Sequence, residues 1–271
     1  MRICDAHLHY GCPKNLMTVV ENSALRQQFP SYRTVQFSRM DDYEARLAEH
    51  QVEKAVLIPF IFRELDTQRE NKLIMDYARR YPGKYYPYAL LDDEDPAFAE
   101  RNFRDIVGLK QHIVLHKTEL TAVRKEIFSC LQEHDLILLL HTHSDRRIDY
   151  VTEIAENFPR LKIQVAHMGR GKPGDIPFML HVMEALRPFA NVFFDTSTIR
   201  QPEVVTKAVD LIGAERILYG SDFPFFMDAD GTEDIMEQQL QHILRAGLGA
   251  RAQEQIFADN FDRLITFGKL Q

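Results

Sequence analysis

Two histidines, His7 and His9, lie two positions apart near the start of the chain, within the stretch CDAHLHYG at residues 4–11. Side chains two apart on a strand point to the same face, so both imidazoles can face one point. Imidazole nitrogens suit Zn²⁺ and similar divalent ions, and such an ion lowers the pKa of a bound water molecule to about 7. The pair therefore indicates a site for one metal ion, if other segments supply further ligands.

The elements that would position these histidines follow a regular alternation. Short apolar runs, rich in β-branched or aromatic residues, are each followed by a stretch with helical periodicity, which is typical of a parallel α/β sheet. Six intervals between residues 54 and 216 average 27 residues each, close to the roughly 30 residues per unit of a (β/α)8 barrel. The eight strands are predicted near Arg2–Ala6, Lys54–Phe60, Tyr85–Leu91, Ile106–Gln111, Leu136–His141, Lys162–His167, Asn191–Thr196 and Arg216–Ser221.

The chain of 271 residues is predicted to form one domain, 1–271, because barrels of this length are routinely single domains. One long gap, from Gly11 to about Met40, has no clear strand period. In a barrel this gap follows the first strand at the carboxyl-terminal face. We therefore expect residues 12–40 to be an insertion that forms a lid or an oligomer contact.

Composition excludes several classes of protein. The net charge of −7 and the lack of a basic stripe argue against nucleic acid as a partner. No apolar run approaches the roughly 18–20 residues of a membrane span, and no signal peptide is visible. Three cysteines without a CxxC pair fit free thiols in a reducing compartment, so we expect a cytoplasmic protein. With these classes of partner excluded, we expect it to act on a small molecule.

Chemically capable side chains follow several of the predicted strands. In a parallel barrel the carboxyl ends of all strands meet on one face, where active sites lie. Asp222 is placed either to ligate the ion or to take a proton from water, and His167 to orient the water or to donate a proton. The side chains at these strand ends are Lys110, His112, His141, His167, Asp195 and Asp222.

Five segments together resemble the amidohydrolase superfamily: DAHLH, GLKQH, LLLHTH, VAHMG and ILYGSDFP. More narrowly they resemble its amidohydrolase-2 branch, which includes the aminocarboxymuconate-semialdehyde decarboxylase group. The resemblance runs from residue 3 to about 224, and IFADNFDRLI at 256–265 is similar to that branch's last helix. It implies a distorted (β/α)8 TIM barrel, with His167 near the reacting centre as acid or base. The ligands that it implies for a divalent metal are His7, His9, His141 and Asp222.

Lys110 bears on the number of metal ions. In binuclear amidohydrolases a lysine on strand four is carboxylated and bridges two metals, whereas the amidohydrolase-2 branch often has one metal and a GxKxH sequence. We expect one ion, Zn²⁺ by its ligand chemistry, and a second only if Lys110 is carboxylated.

Three residues are candidates for substrate binding. Lys110 is expected to line the site as a charge partner for a substrate carboxylate or carbonyl. His112 lies two positions later, at the end of the same predicted strand, so its side chain points to the same face. Arg170 lies in the glycine-rich stretch HMGRGKPGD, where its guanidinium could meet an anionic group. A solvated loop charge is the alternative for Arg170.

Three functions follow from these residues. The first is a metal-dependent hydrolase of a small amide, lactone or ester, which acts through metal-activated water. The second is a metal-dependent, non-oxidative decarboxylase of a small unsaturated or aromatic carboxylic acid, which would need Arg170 or Lys110 to bind the carboxylate. The third, a binding or assembly module without turnover, predicts altered strand-end residues, and none is altered. Independently of these three functions, assembly into a homo-oligomer is left open.

Overall fold

The computed structural model describes residues 1–22, 42–62, 64–91, 95–112, 123–142, 145–172, 174–225 and 234–265. Within these residues the strands pair in parallel in the order β1-β3-β4-β5-β6-β7-β8-β9, and β2 also pairs with β3. The strands are β1 (Ile3–Asp5), β2 (His9–Tyr10), β3 (Val52–Pro59), β4 (Tyr85–Leu90), β5 (Gly108–His112), β6 (Ile137–His141), β7 (Lys162–Val165), β8 (Val192–Asp195) and β9 (Ile217–Leu218).

Backbone hydrogen bonds between the first and last strand regions close the sheet. The Ala6 N–H donates to the Tyr219 carbonyl at 2.8 Å, and the Asp222 N–H donates to the His7 carbonyl at 2.7 Å. A closed ring of eight parallel strand positions with alternating helices is a (β/α)8 barrel. The predicted fold is therefore confirmed.

Helices follow the strands, and several begin at an aspartate whose side chain accepts a backbone N–H of the first turn, as Asp66 and Asp175 do. None of the helices in the described ranges is long and apolar enough to cross a membrane. The helices are α1 (Pro13–Asn22), α2 (Tyr43–Glu49), α3 (Thr67–Arg80), α4 (Phe98–Asn102), α5 (Lys125–Glu133), α6 (Asp145–Asn157), α7 (Ile176–Leu186), α8 (Pro202–Ile212), α9 (Ile235–Leu244), α10 (Ala250–Glu254) and α11 (Asn260–Leu264).

Alternate strand residues separate into two buried clusters, as the pleat requires. On β6, Ile137 and Leu139 join the cluster that fills the barrel interior, whereas Leu138 and Leu140 join the cluster that packs against the helices. By the same alternation Leu109 faces the helices. Lys110, the next residue on β5, therefore faces the inside of the barrel. His141 faces the same way, because it follows Leu139 by two positions on β6.

The first strand differs in detail from the prediction. A single strand was expected over Arg2–Ala6, but the structure has a second short strand, His9–Tyr10, after an irregular stretch. Cys4 and Ala6 both belong to the interior cluster, and Leu8 packs toward the helices. The irregular stretch thus shifts the alternation by one residue between Ala6 and His7, which turns His7 and His9 toward the barrel mouth.

The last strand is shorter than predicted. Only Ile217–Leu218 pair with β8, because the next N–H on that side, that of Gly220, donates to the side-chain hydroxyl of Thr196 at 3.2 Å. The expected insertion at residues 12–40 contains α1, while residues 23–41 lie outside the described ranges. The assignment of this insertion as a lid or oligomer contact remains a prediction.

The close contact between β5 and β6 depends on Gly108. A Cβ added there would lie 2.1 Å from the Ile137 carbonyl oxygen and 2.6 Å from the Tyr88 ring. We predict that Gly108→Ala lowers the free energy of unfolding by roughly 1–3 kcal/mol, because the two strands must separate to admit the methyl group. Urea unfolding followed by circular dichroism would measure this.

Gly249→Ala is the matched control, since no heavy atom lies within 4 Å of a Cβ added there. Its stability should stay within about 0.5 kcal/mol of the parent. Equal stabilities for the two variants would refute the role given to Gly108.

Candidate active site

His7 and His9 lie at the barrel mouth, and both are buried. The Nε2 atom of each ring lies 3.3 Å from Oδ1 of Asp222. Both rings of the pair therefore face one carboxylate, which lies across the seam where the first and last strand regions close the barrel.

The other ring nitrogen of each histidine, Nδ1, is hydrogen-bonded to an oxygen atom of the protein. His7 Nδ1 lies 2.9 Å from Oδ2 of Asp195, and His9 Nδ1 lies 3.2 Å from the Pro59 carbonyl oxygen. A carbonyl or an ionised carboxylate only accepts, so each Nδ1 carries the proton and donates it. The lone pair of both imidazoles then lies on Nε2, the atom that faces Asp222.

His141 and His167 form a second hydrogen-bonded chain. His167 Nδ1 lies 2.7 Å from Ser197 Oγ, whose proton goes to Asp195, and 3.1 Å from the Ser197 carbonyl oxygen. Both oxygens are left to accept, so this nitrogen carries the proton. His167 Nε2 must then accept, and it lies 3.0 Å from His141 Nδ1. His141 therefore donates from Nδ1, and its lone pair lies on Nε2, as in His7 and His9.

Backbone strain concentrates in the segments that carry these groups. His167, Met168, Thr198 and Asp222 all have φ between 51° and 62°, in the left-handed region that non-glycine residues rarely adopt. Such conformations persist only where the surrounding structure holds them, and they cluster at functional sites. These backbone conformations orient the side chains of His167 and Asp222 toward the barrel mouth.

Gly220 provides the close approach between the last strand region and the first. A Cβ added at Gly220 would lie 2.9 Å from the Cβ of His7. The glycine of the GSDFP segment is therefore needed to let His7 and Asp222 come together.

Asp195 was noted at the end of its strand but not predicted as a site residue, and it holds several of these groups. Its Oδ1 accepts the backbone N–H of His167 at 3.0 Å and the hydroxyl of Ser197, while Gln164 Nε2 donates to Oδ2 at 2.8 Å. Burial alone would raise the pKa of Asp195, but His7 and these donors hold it well below the usual range. Asp195 is thus a buried anion that positions His7 and His167 together.

Asp5 has a similar role at the end of β1. Its Oδ1 accepts the backbone N–H groups of His7 and Ser221, at 3.0 and 3.1 Å. One side chain therefore joins the two backbone segments that carry His7 and Asp222. Complete burial raises the pKa of this carboxyl to about 7.

Lys110 is the most unusual member of the site. Its side chain is 1% exposed, and within the described residues its Nζ atom has no hydrogen-bond partner. Burial lowers the pKa of Lys110 to about 8, opposed by the charges of Asp195 and Asp222. A buried ammonium without a partner is unfavourable and marks a place where an anionic group would be stabilised.

The other two predicted substrate-binding residues also lie at this end of the barrel. The His112 ring packs against the His141 ring, with centroids 4.2 Å apart. Arg170 Nη1 donates to the Thr198 carbonyl oxygen at 2.9 Å, and burial lowers the pKa of its guanidinium to about 10. Arg170 is half-buried and anchored, so it is not a freely solvated loop charge.

The donor set suits a divalent metal ion. One ligand atom each from His7, His167 and Asp222 all lie within 4.8 Å of one another, and all three residues are buried. The tautomers described above leave the Nε2 lone pairs of His7 and His9 facing the same carboxylate. Imidazole nitrogens and a carboxylate in a buried mouth are the ligands of catalytic zinc sites.

A parallel barrel with histidines and an aspartate at its carboxyl-terminal rim defines a class of metal-dependent enzymes. The profile of the amidohydrolase family (Amidohydro_2) matches residues 4–266 of the chain. The chain therefore belongs to the amidohydrolase family, and the predicted membership in its amidohydrolase-2 branch is confirmed.

Solved structures share the fold over nearly the whole chain. The 2,6-dihydroxybenzoate decarboxylase from Rhizobium is 16% identical, with a TM-score of 0.71 and coverage of 98% of this chain and 99% of that one. A dihydroxybenzoic acid decarboxylase from a Polaromonas species, with bound manganese and the inhibitor 2-nitroresorcinol, is also 16% identical (TM-score 0.69, coverage 99% and 98%).

A candidate 2-pyrone-4,6-dicarboxylic acid hydrolase from Pseudomonas putida is 17% identical, with a TM-score of 0.72 and coverage of 99% of this chain and 98% of that one. At these identities the likeness shows the barrel fold. The neighbours include decarboxylases and a candidate hydrolase, so the fold does not distinguish between the two reactions.

The position of Asp195 makes a direct prediction about metal affinity. Asp195→Asn removes the charge that supports His7 Nδ1, so the affinity of the site for Zn²⁺ or Mn²⁺ should fall by about 10- to 100-fold. Equilibrium dialysis with metal analysis would measure it. Glu70→Gln is the matched control, because Glu70 is also a buried carboxylate but lies on α3. Unchanged affinity in Asp195→Asn would contradict the role of Asp195.

Proposed function

We propose that the barrel mouth binds one divalent metal ion through His7, His9, His141 and Asp222. The support is the set of hydrogen bonds at Nδ1, which leaves the lone pair of each of the three imidazoles on Nε2. Three imidazole nitrogens and one carboxylate suit Zn²⁺ best, and Mn²⁺ is the alternative. His167 differs from the other three because its Nδ1 bonds to Ser197 and its Nε2 accepts from His141.

We further propose that the chain hydrolyses a small carbonyl compound, such as a lactone, ester or amide, that also carries a carboxylate. The observation that carries this proposal is the convergence of Asp222 and His167 within 4.8 Å, on the same end of the barrel as the buried ammonium of Lys110. A divalent ion bound there would polarise the carbonyl oxygen and acidify water.

The residues of the chain would move the protons. Water attacks the carbonyl carbon and loses a proton to Asp222, and the bond to the leaving oxygen or nitrogen breaks. His167 Nε2, which accepts from His141 in the structure, would leave that bond, take up the proton from Asp222 and deliver it to the leaving atom. The gap between Asp222 and His167 is short enough for a proton to pass back through one water molecule. Lys110 would hold the substrate carboxylate, and the burial of the site would keep other water out.

Non-oxidative decarboxylation is the second candidate, and Lys110 favours it, because a decarboxylase must bind a carboxylate. In that reaction the bond between the carboxylate carbon and its neighbour breaks, and its electron pair stays on the neighbouring carbon. His167, supplied with a proton from solvent, would protonate that carbon as CO₂ leaves. The same four ligands serve both reactions, so only the products separate them.

A product assay on metal-loaded and chelated protein tests the proposed reaction. Panels of carboxylate-bearing lactones, esters, amides and unsaturated or aromatic acids would be assayed for the new acid and for CO₂. We expect metal-dependent formation of a new carboxylic acid without CO₂. Release of CO₂ alone would assign decarboxylation instead, and equal products from loaded and chelated samples would refute the metal-dependent mechanism.

Replacement of both His7 and His9 by alanine should remove the metal and abolish turnover. The barrel should stay folded, because the interior cluster and the helix-facing cluster are unchanged. Metal analysis, circular dichroism and the product assay on one preparation would check this. Full activity in the metal-free double variant would contradict the proposed site.

Lys110→Met tests the binding of the substrate carboxylate. We expect KM to rise by at least about tenfold with a smaller change in kcat, since the ammonium binds ground state and transition state alike. Burial lowers the Lys110 pKa to about 8, so the parent's KM should rise as pH passes above that value and the ammonium loses its charge.

The KM of the Lys110→Met variant should not change over the same pH range. Lys162→Met is the control for removal of a lysine, because Lys162 pairs with Asp135 at the surface. A parent-like KM in Lys110→Met would exclude a substrate anion at this position.

A further inference from the structure

A second group of metal-binding side chains lies outside the barrel, between α4 and α5. Oε2 of Glu100 lies 3.2 Å from Sγ of Cys130 and 3.2 Å from Nε2 of His134. Glu100 belongs to α4, whereas Cys130 and His134 are four residues apart at the end of α5, on one face of the helix. These three residues are called the Glu100–Cys130–His134 cluster.

The distances fit a tetrahedral zinc site. With Zn–S of about 2.3 Å and Zn–N or Zn–O of about 2.0–2.2 Å, the edges of a tetrahedron are about 3.4–3.6 Å long. The two measured separations are a few tenths of an ångström shorter, and all three ligand atoms lie within 4.8 Å of one another. Binding an ion would require only small side-chain rotations. Glu100 is 62% exposed, which leaves room for water as the fourth ligand.

The orientation of His134 is set by its neighbours. The Phe103 ring stacks on the imidazole with centroids 3.9 Å apart and an angle of 16° between the planes. The guanidinium of Arg104 lies over the Phe103 ring at 5.3 Å. The stack holds the imidazole with Nε2 directed at Glu100, so one metal ligand is already oriented.

The charge around this cluster also favours a cation. Among the described residues, Glu100 pairs with Cys130 and His134 and with no lysine or arginine. A second mixed cluster, Glu49, His50 and Asp234, is different. There Arg46 Nη1 lies 2.8 Å from Glu49 and 3.3 Å from Asp234, so a guanidinium already neutralises both carboxylates.

Cys130 is poorly suited to act as a reactive thiol. Burial, with the hydrogen bond to Glu100, raises the pKa of its thiol to about 12. Nucleophilic cysteines instead have lowered pKa values and cationic neighbours. A role as a ligand, in which the metal ion displaces the thiol proton, fits the surroundings better.

We propose that Glu100, Cys130 and His134 bind a second divalent ion of the zinc class, independent of the active site, which joins α4 to α5 on the outside of the barrel. The ion takes one oxygen, one sulfur and one nitrogen ligand from the protein. Softer ions such as Zn²⁺ and Co²⁺ bind there, whereas Mn²⁺ and Mg²⁺, which favour oxygen ligands, bind poorly.

Cobalt binding tests this proposal on the full-length, metal-stripped protein. The four ligands proposed for the active site offer only nitrogen and oxygen atoms, so the charge-transfer absorption of a cobalt–thiolate bond reports the outer site. We expect this band in the parent and in the His7→Ala/His9→Ala variant, and we expect Cys130→Ser to abolish it. Cys12→Ser is the control for loss of a half-buried cysteine and should keep the band.

Glu100→Gln provides a test that does not disturb the partly buried thiol. This variant should fold like the parent and bind Co²⁺ at least about tenfold more weakly at the thiolate site. Absence of the band from the parent, its survival in Cys130→Ser, or unchanged affinity in Glu100→Gln would each overturn the three-ligand site. None of these results depends on catalytic activity.

Discussion

A buried carboxylate at the end of β8 is the constraint on which the rest of the site depends. Asp195 accepts from His7 Nδ1 through one oxygen and from the His167 backbone and Ser197 through the other. An ionised group with no exposed surface is stable only when its lone pairs are fully used. The same bonds that stabilise the anion fix the tautomer of His7 and the position of the turn that carries His167.

Hydrogen bonds that start at the Asp195 carboxylate fix the positions of the other site residues. His167 is held by Ser197 and accepts from His141, and the left-handed conformations of His167 and Asp222 are held by the closed barrel around them. The rigid parallel barrel holds these unfavourable backbone conformations in place at its rim. Lys110 is the exception, because its buried ammonium has no hydrogen-bond partner in the described part of the chain.

Much of this arrangement could be predicted from the sequence, because parallel strands bring their carboxyl ends together. The period of the apolar runs indicated the barrel, and strand-end positions indicated His7, His9, His141, His167 and Asp222. The shift of alternation between Ala6 and His7 could not be predicted, since it depends on the Asp5 side chain accepting the His7 N–H. The role of Asp195 also depends on partners 31 and 188 residues away, Gln164 and His7, which no local pattern reveals. The outer cluster depends likewise on the packing of α4 against α5.

The proposed metal site requires that the hydrogen bonds at Nδ1 leave the Nε2 lone pairs of His7, His9 and His141 for one ion beside Asp222. Anomalous X-ray scattering from crystals of the protein grown with Mn²⁺ tests it most directly, since manganese should avoid the thiolate of the outer cluster. We expect one ion in the barrel mouth, bonded to Nε2 of His7, His9 and His141 and to a carboxylate oxygen of Asp222. An ion bonded through Nδ1, an ion that takes His167 in place of His141, or a mouth without any ion would contradict it.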